Sequence, residues 1–409
     1  MASQNKLKIL NDPIYGFITI PNQRIFNIIE HPFFQRLRRI SQMGLSYLVY
    51  PGAHHTRFHH AIGCVHLMQK AVRVLRYKGV EISEDEEEAL QIAILLHDIG
   101  HGPFSHAMEH SIVEGVDHES ISLLFMKELN TVFNQSLTLA IDIFTGKYPR
   151  KFMHQLITSQ LDMDRLDYLK RDSFYTGTTE GNVNSDRLIT MLNVVNNELV
   201  IEEKAIYSVE KFLVARRLMY WQVYLHKTSM VAEQLLIRVL KRAKELIAEG
   251  SNLNASTALS YFLNNKVTED SFDTETLKIF SCLDDYDIVL AMKEWVNHDD
   301  FVLSSLCKMV INRDLLKVKI KKKRPATAKI EKHLNNLKEK YNLSEKEASY
   351  FVFTGEISNL AYTREKNNIN ILHKNGKIND VIKVSDQLNL KALSKTVTKY
   401  YICYPKSKH

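Results

Sequence analysis

The stretch that most constrains this chain is His97-Asp98-Ile99-Gly100-His101-Gly102-Pro103-Phe104-Ser105-His106. Five apolar residues, Ile92 to Leu96, lead into it as the end of a helix and deliver an adjacent histidine and aspartate to the helix terminus. Gly100 and the Gly102-Pro103 pair then stop the helix and turn the backbone sharply. Three histidines and a carboxylate within ten residues are a dense set of metal ligands and proton carriers. Imidazole and carboxylate together suit Zn, Mn, Fe or Ni better than Ca. The plain alternative, a helix ending in capping histidines, is outweighed by the partners that the rest of the chain supplies.

A chain of 409 residues buries a substantial core, and two lobes are expected. Only 8 Pro and 14 Gly, beside many Leu, Ile, Lys and Glu, favour a mainly α fold. A net charge of +7 is compatible with an anionic substrate without demonstrating one. Cys64, Cys282, Cys307 and Cys403 are scattered with no CxxC pair, which indicates neither a disulfide framework nor a thiolate zinc site. The first residues lack a signal-type apolar core, and no apolar run approaches the ~20 residues that span a bilayer. A cytoplasmic location without membrane partners is the expectation.

Residues 6–20 read as a hairpin across Asn11-Asp12-Pro13. Asn22 caps a short helix, and Pro32 starts another through Ile40. Phe33, Phe34, Leu37 and Ile40 form its apolar face, leaving Arg36, Arg38 and Arg39 as a solvated face or an anion contact. Residues 51–60 place four histidines and Arg57 at the start of a helix that runs past Val72. Ser83 with Glu86 opens the helix that ends at His97. Ser105 to His110 should resume a helix, and Asp117-His118-Glu119 begins another. In 162–172, Asp164 and Tyr168 share a helix face, with Asp172 one turn on. A hairpin is expected at 191–201, and a long helical region at 207–249 carries Arg216-Arg217 and Tyr224-Leu225-His226-Lys227. Lys317 to Arg324 reads as a lysine-protected edge strand, with polyphosphate or nucleic-acid binding as the alternative. Residues 326–364 look helical, 369–384 form a hairpin around Asn375-Gly376, and 397–403 add a strand. His54, His55, His59, His66, His110 and His154 read as structural or surface residues.

If one histidine of 54–60, the His97-Asp98 pair and Asp164 converge, two imidazoles and two carboxylates surround one divalent ion. Such an ion lowers the pKa of bound water toward ~7. With arginines nearby, this suits hydrolysis of a phosphoester or phosphoanhydride, where charge accumulates on phosphoryl oxygens. His101, His106 and His118 can orient the nucleophile or protonate a leaving oxygen. The chain lacks GxxxxGK[ST], GxSxG and HExxH.

The order of these segments resembles the HD-domain deoxynucleoside triphosphate triphosphohydrolase family, which includes the mammalian SAM-and-HD-domain enzymes and bacterial dGTPase-like proteins. The resemblance rests on Asp12-Pro13-Ile14-Tyr15-Gly16, Phe34-Gln35-Arg36-Leu37-Arg38, PGA-x-H-x-RF-x-H at 51–60, HDIGHGPFSH at 97–106 and D-x-D-R-x-D-Y-x-x-R-D at 162–172. It is strong over residues 10–230, weaker to 320, and leaves the remainder unaccounted for. It implies a mainly α HD-domain fold with small β-hairpins. Residues 1–320 would be the catalytic region, with the HD core at 50–230, and 321–409 a C-terminal α+β lobe. It also implies hydrolysis of a dNTP to deoxynucleoside and tripolyphosphate.

By the same resemblance, His60, His97, Asp98 and Asp164 hold the metal, which could be Mn, Fe, Zn, Ni or Mg, and further Mg accompanies the triphosphate. Arg57 and His101 contact phosphate or the bridging water, with Arg165, Tyr168, Arg216 and Lys227 as further polyphosphate or sugar contacts. His118 with Glu109 handles protons, and His106 is the other general acid. Gln42 and Asp172 engage the sugar 3′-hydroxyl, and Tyr224 crowds a 2′-hydroxyl. Glu109 stands where the mammalian enzymes have Asp, and Leu225 replaces a base-contacting Gln, so base preference does not transfer. Gln35, Arg38, Arg313 and Lys317 resemble an effector pocket, with Glu30 in place of Asp. Nucleotide activation and a homodimer or homotetramer are therefore expected. Two alternatives remain open. One is an HD phosphohydrolase acting on another nucleotide, as a nucleotidase or alarmone hydrolase. The other is a sensor that binds nucleotide or nucleic acid through Lys317–Arg324 and the Arg36–Arg39 face.

Overall fold

In a computed structural model, the described residues are 8–104, 113, 115–360, 362–363, 368–386 and 395–406. The helix expected from Ser105 to His110 lies outside them, and so do the candidate residues His106 and Glu109. The described residues form a mainly helical protein with three small sheets.

Side-chain caps set where the helices that matter begin. Ser83 Oγ accepts from Glu86 N at 3.1 Å and Glu86 Oε2 accepts from Ser83 N at 2.8 Å, which starts the helix Glu84–Leu96. Every residue of that helix from Ala89 to Leu96 is buried, so its C-cap, His97, arrives inside the protein. The helix packs against Arg57–Tyr77 and Thr138–Phe144. Asp162 accepts from Arg165 N at 2.7 Å and starts Met163–Thr176, which Gly177 ends in the left-handed region at φ 71°. This helix in turn packs on Arg57–Tyr77. Three helices thus meet with their polar ends together.

The hairpins stand where turn chemistry places them. Lys8–Asp12 pairs antiparallel with Gly16–Ile20, and Asp12 Oδ1 accepts from Ile14 N and Tyr15 N at 2.9 and 3.0 Å. Leu192–Val195 pairs with Glu198–Glu202 across Asn196 and Asn197, both at positive φ. Asn370–Leu372 pairs with Ile378–Asp380 and also lies parallel to Glu198–Glu202, with Ile201 opposite Ile371. The third sheet has Val397–Tyr404 between Lys317–Lys321 and Phe353–Asn359. In Lys317–Lys321 the lysines point to solvent between Val318 and Ile320, as an edge strand requires.

Three expectations are corrected. Residues 326–364 are not helical throughout: Thr327–Tyr341 and Glu345–Ser349 are helices, and Phe353–Asn359 is a strand. Phe353, Ile357 and Asn359 are buried while Thr354, Glu356 and Ser358 are exposed, a two-residue period that the helical reading overlooked. The run at 207–249 is interrupted, since a π-helical turn at Tyr220–Tyr224 separates Ile206–Met219 from Lys227–Ala248. Arg36 is not on a solvated face. It is buried between the rings of Phe125 and Phe280, and its Nη2 donates to the carbonyls of Ile99 and His101, each at 2.8 Å. Among the described residues no helix is long and apolar enough to cross a membrane.

Candidate active site

His60 lies in the first turn of Arg57–Tyr77 and is wholly buried. Its Nδ1 is 2.8 Å from Asp167 Oδ2. An ionised carboxylate only accepts, so Nδ1 carries the proton and Nε2 faces the site. Nε2 stands 3.1 Å from Asp164 Oδ1 and 3.8 Å from Asp98 Oδ2. Burial disfavours the charged imidazole, but Cys64, Asp164 and Asp167 overcome it and hold the His60 pKa well above the ordinary value. Asp167 is fixed in turn by Arg171, at 2.9 and 3.0 Å, and Arg171 Nη1 donates to Asp12 Oδ2 at 2.7 Å. The N-terminal hairpin therefore orients His60 through two buried residues. A Cβ on Gly63 would lie 2.1 Å from Asp167 Oδ1, so only glycine leaves room for this relay.

His97 Nδ1 donates to the Ile94 carbonyl at 2.7 Å, which leaves Nε2 for the site. That atom lies 3.5 Å from both Asp98 Oδ1 and Asp164 Oδ1, buried and without a hydrogen-bond partner among the described residues. Burial lowers the His97 pKa, and the two carboxylates more than reverse this. Burial would raise Asp98, yet His97, His101 and Arg57 keep it well below the carboxylate range, and His60 and His97 do the same for Asp164. Two carboxylates held anionic around an unsatisfied imidazole nitrogen are a donor set suited to a divalent cation. Donor atoms of His60, Cys64 and His97 also lie within 4.8 Å of one another. Burial pushes the Cys64 thiol up, away from the thiolate that binds metal, so Asp98 and Asp164 complete the set better.

Beside these groups, Arg57 Nη1 donates to Asp98 Oδ2 at 2.6 Å. His101 Nε2 is 3.4 Å from Asp98 Oδ1, and its ring stacks on His118 at 4.0 Å. Burial and the Arg57 charge push the His101 pKa down to about 3. Ser122 Oγ donates to the His97 carbonyl at 2.8 Å and accepts from Gly100 N at 2.9 Å. A Cβ on Gly100 would stand 2.3 Å from backbone atoms of His118 and Ser122, so the turn and the His118 helix meet without side-chain space between them. Asp285 Oδ2 accepts from Ser41 N at 2.8 Å and its Oδ1 from Phe104 N at 3.1 Å, where Phe104 takes a positive φ of 46°.

A cavity of about 1230 Å³ opens over this centre. Gln42, Arg57, His97, Asp98, His101, His118, Asp164, Arg165, Tyr168, Asp172 and Tyr224 line it, and His60 lies buried behind its wall. Arg165 binds Asp162 and stands 4.0 Å from Asp164. Tyr224 OH donates to Asp172 Oδ2 at 2.8 Å. The cavity continues along Ser229 and Glu233 to Glu356, Ile357, Ser358 and Tyr401 of the C-terminal sheet.

Some nominated residues stand elsewhere. Arg216 is buried, 3.4 Å from Gln160 Oε1, and does not line the cavity. Lys227 is exposed at the start of its helix. Arg38 Nε donates to Gln35 Oε1 at 2.9 Å and its guanidinium covers the Phe58 ring. Arg313 Nε donates to the Leu48 carbonyl at 2.7 Å, and Lys317 lies exposed on its edge strand. None of these four lines the cavity. The sequence reading missed the Asp12–Arg171–Asp167 relay, although Asp167 and Arg171 at i,i+4 were a visible signal. It also set aside His55, whose partner is 117 residues away.

The HD domain family model matches residues 57–172, and the HD associated region matches 183–264. The uncharacterized protein YwfO of Bacillus subtilis is 31% identical over 417 residues, covering 98% of this chain and 92% of its own length. Human deoxynucleoside triphosphate triphosphohydrolase SAMHD1 is 28% identical over 62% of this chain, which spans about half the length of that protein. A crystal structure of a phosphohydrolase from Bacteroides thetaiotaomicron superposes with a TM-score of 0.95 at 51% identity, covering 98% of this chain and all of that one. His60, His97, Asp98 and Asp164 all fall inside the matched HD segment, and the chain belongs to the HD-domain phosphohydrolase family, in the branch related to the deoxynucleoside triphosphate triphosphohydrolases.

Proposed function

We propose that this protein hydrolyses deoxynucleoside triphosphates to deoxynucleoside and tripolyphosphate. The observation that supports the reading is the position of Asp98, whose Oδ2 lies 3.8 Å from His60 Nε2 and 2.6 Å from Arg57 Nη1, and whose Oδ1 lies 3.5 Å from His97 Nε2 and 3.4 Å from His101 Nε2. A ligand set and a phosphate-binding set thus share one carboxylate.

His60, His97, Asp98 and Asp164 would hold the divalent cation. When bound, a cation there lowers the pKa of water toward ~7 and polarises a phosphoryl oxygen. Arg57 offers guanidinium donors to charge that builds on the phosphoryl oxygens, and Arg165 extends this along the triphosphate. His101, neutral at physiological pH, and the stacked His118 provide a path for the proton. Water adds to the α-phosphorus, the bond to O5′ breaks, and the proton ends on the departing 5′-oxygen. Asp172, Tyr224 and Gln42 take the sugar end. Activation by a second nucleotide, through Gln35, Arg38, Arg313 and Lys317, and assembly into dimers or tetramers belong to the same reading.

The test is direct. The protein is incubated with Mn²⁺ or Mg²⁺ and each dNTP, singly and in mixtures, and the phosphorus product is identified by ³¹P NMR. Tripolyphosphate is expected as the first product, with turnover abolished by chelation, restored by Mn²⁺, and absent in Asp98→Ala. Orthophosphate or pyrophosphate as the primary product would sink the proposal. Hydrolysis confined to mixtures would reveal the effector site.

A further inference from the structure

We propose that His55 is a positioning residue that binds Gln42, Asp172 and Tyr224 into one unit recognising the 3′-hydroxyl of the bound nucleotide. The inference rests on the nucleotide reading of the cavity and assigns a task to a histidine that lies behind its wall.

His55 is 1% exposed and belongs to the loop before Arg57. Its Nε2 lies 2.6 Å from Asp172 Oδ1. Asp172, as a carboxylate, only accepts, so the imidazole donates. The other oxygen, Oδ2, accepts from Tyr224 OH at 2.8 Å. One carboxylate is therefore gripped from two distant segments, the loop before Arg57 and the π-helical turn. The His55 backbone joins the third member, because Gln42 N donates to the His55 carbonyl at 3.0 Å. The isolated bridge between Ser41 and Thr56 holds these two strands of chain together.

The unit presents acceptors to the cavity. Gln42 Oε1 is buried with no hydrogen-bond partner among the described residues. Asp172 keeps unused lone pairs, and Tyr224 donates its proton to Asp172 and so offers its own oxygen as an acceptor. Acceptors grouped in this way select a hydroxyl donor and reject an analogue lacking it, since buried polar groups are then left unpaired. The His55 ring has a defined support: it stacks on Tyr175 with centroids 4.3 Å apart and planes 15° apart, while its Nδ1 has no partner among the described residues. Its donor to Asp172 is thus separable from its packing. Phenylalanine retains the stack and removes only the donor.

The experiment uses the full chain and compares a dNTP with its 3′-deoxy analogue. The wild type should prefer the dNTP in kcat/KM. In His55→Phe, kcat/KM for the dNTP should fall at least about tenfold, mainly through KM, while the analogue stays within about threefold of wild type. The preference then collapses. His55→Gln, which retains an N–H donor, should recover part of it. Mn²⁺ bound per chain should match wild type in both variants, and both should remain folded at the assay temperature. Equal losses on both substrates, or no loss, would overturn the proposal. Calorimetric binding of the two nucleotides separates it from the reaction reading. A 3′-hydroxyl preference in binding that depends on His55, without tripolyphosphate release, leaves His55 standing and removes the hydrolysis. Tripolyphosphate release without any 3′-hydroxyl preference does the reverse.

Discussion

Arg36 shows at single-residue scale how this site trades stability for geometry. Its guanidinium is wholly buried, and its Nε and Nη1 have no hydrogen-bond partner among the described residues. Burial, with the neighbouring Arg57 and Arg39 charges, draws its pKa down to about 9, a measure of how poorly the charge is accommodated. What it provides is two bonds to the carbonyls of Ile99 and His101, on either side of Gly100. Replacing a buried charge by an apolar side chain of similar length is often neutral or stabilising, because several kcal/mol of desolvation are recovered. Arg36→Met should therefore unfold within about 2 kcal/mol of wild type, or later, in urea. Its kcat should fall at least about tenfold, because the turn carrying His101 loses its anchor. A large loss of stability accompanying the loss of activity would make Arg36 an ordinary core residue instead.

Among the elements, the helix Asp285–Trp295 acts on the site from outside it. Asp285 holds the backbone N–H groups of Ser41 and Phe104, two residues of the cavity wall. Burial raises its pKa from 3.8 to about 6 despite the two N–H donors. A carboxyl whose folded pKa exceeds its unfolded one stabilises the fold fully below the unfolded value, and that contribution is lost as pH rises through about 6. The displacement is worth about 3 kcal/mol. Unfolding free energies of wild type and Asp285→Asn, measured from pH 4 to 7.5, should show the wild type losing about that much relative to the variant. A constant difference across the range would mean that Asp285 stays ionised. Element boundaries such as this one were legible wherever a local signal sets them. Asn22, Ser83 with Glu86, and the Asn196-Asn197 and Asn375-Gly376 turns each act within a few residues. The convergence of His97, Asp98 and Asp164 with a histidine of 54–60 could be framed from the residues as a condition, but the choice of His60 came through the resemblance, since spacing along a chain does not encode approach across it. Burial of Arg36, the Asp285 contacts and the His55–Asp172 bond depend on partners 63 to 244 residues away, and nothing local announces them. The strand Phe353–Asn359 was read as helix because its alternation is short and lies next to real helices.

At the scale of the whole molecule, residues beyond 321 are built into the helices before them. The Arg238 guanidinium covers the Phe353 ring at 3.3 Å, Lys346 pairs with Glu245 at 3.1 Å, and Asn370–Leu372 completes a sheet with Glu198–Glu202. Through this docking the edge strand Phe353–Asn359 reaches the cavity, which at about 1230 Å³ exceeds the ~300–1,000 Å³ of an ordinary small-molecule pocket. Ser358 is exposed on that strand and lines the cavity, far in sequence from every nominated ligand. Ser358→Trp adds volume to the part of the wall that the C-terminal sheet supplies, from an exposed position. Its stability should stay within about 0.5 kcal/mol of wild type, as for other exposed substitutions. If nucleotides extend along the Lys227–Ala248 helix toward this strand, KM should rise at least about threefold, more for purine than for pyrimidine substrates, with kcat little changed because the phosphate end is untouched. Steady-state kinetics on all four dNTPs would read this. An unchanged KM for every base would place the substrate wholly between Asp98 and Tyr224 and leave the C-terminal strand outside its reach.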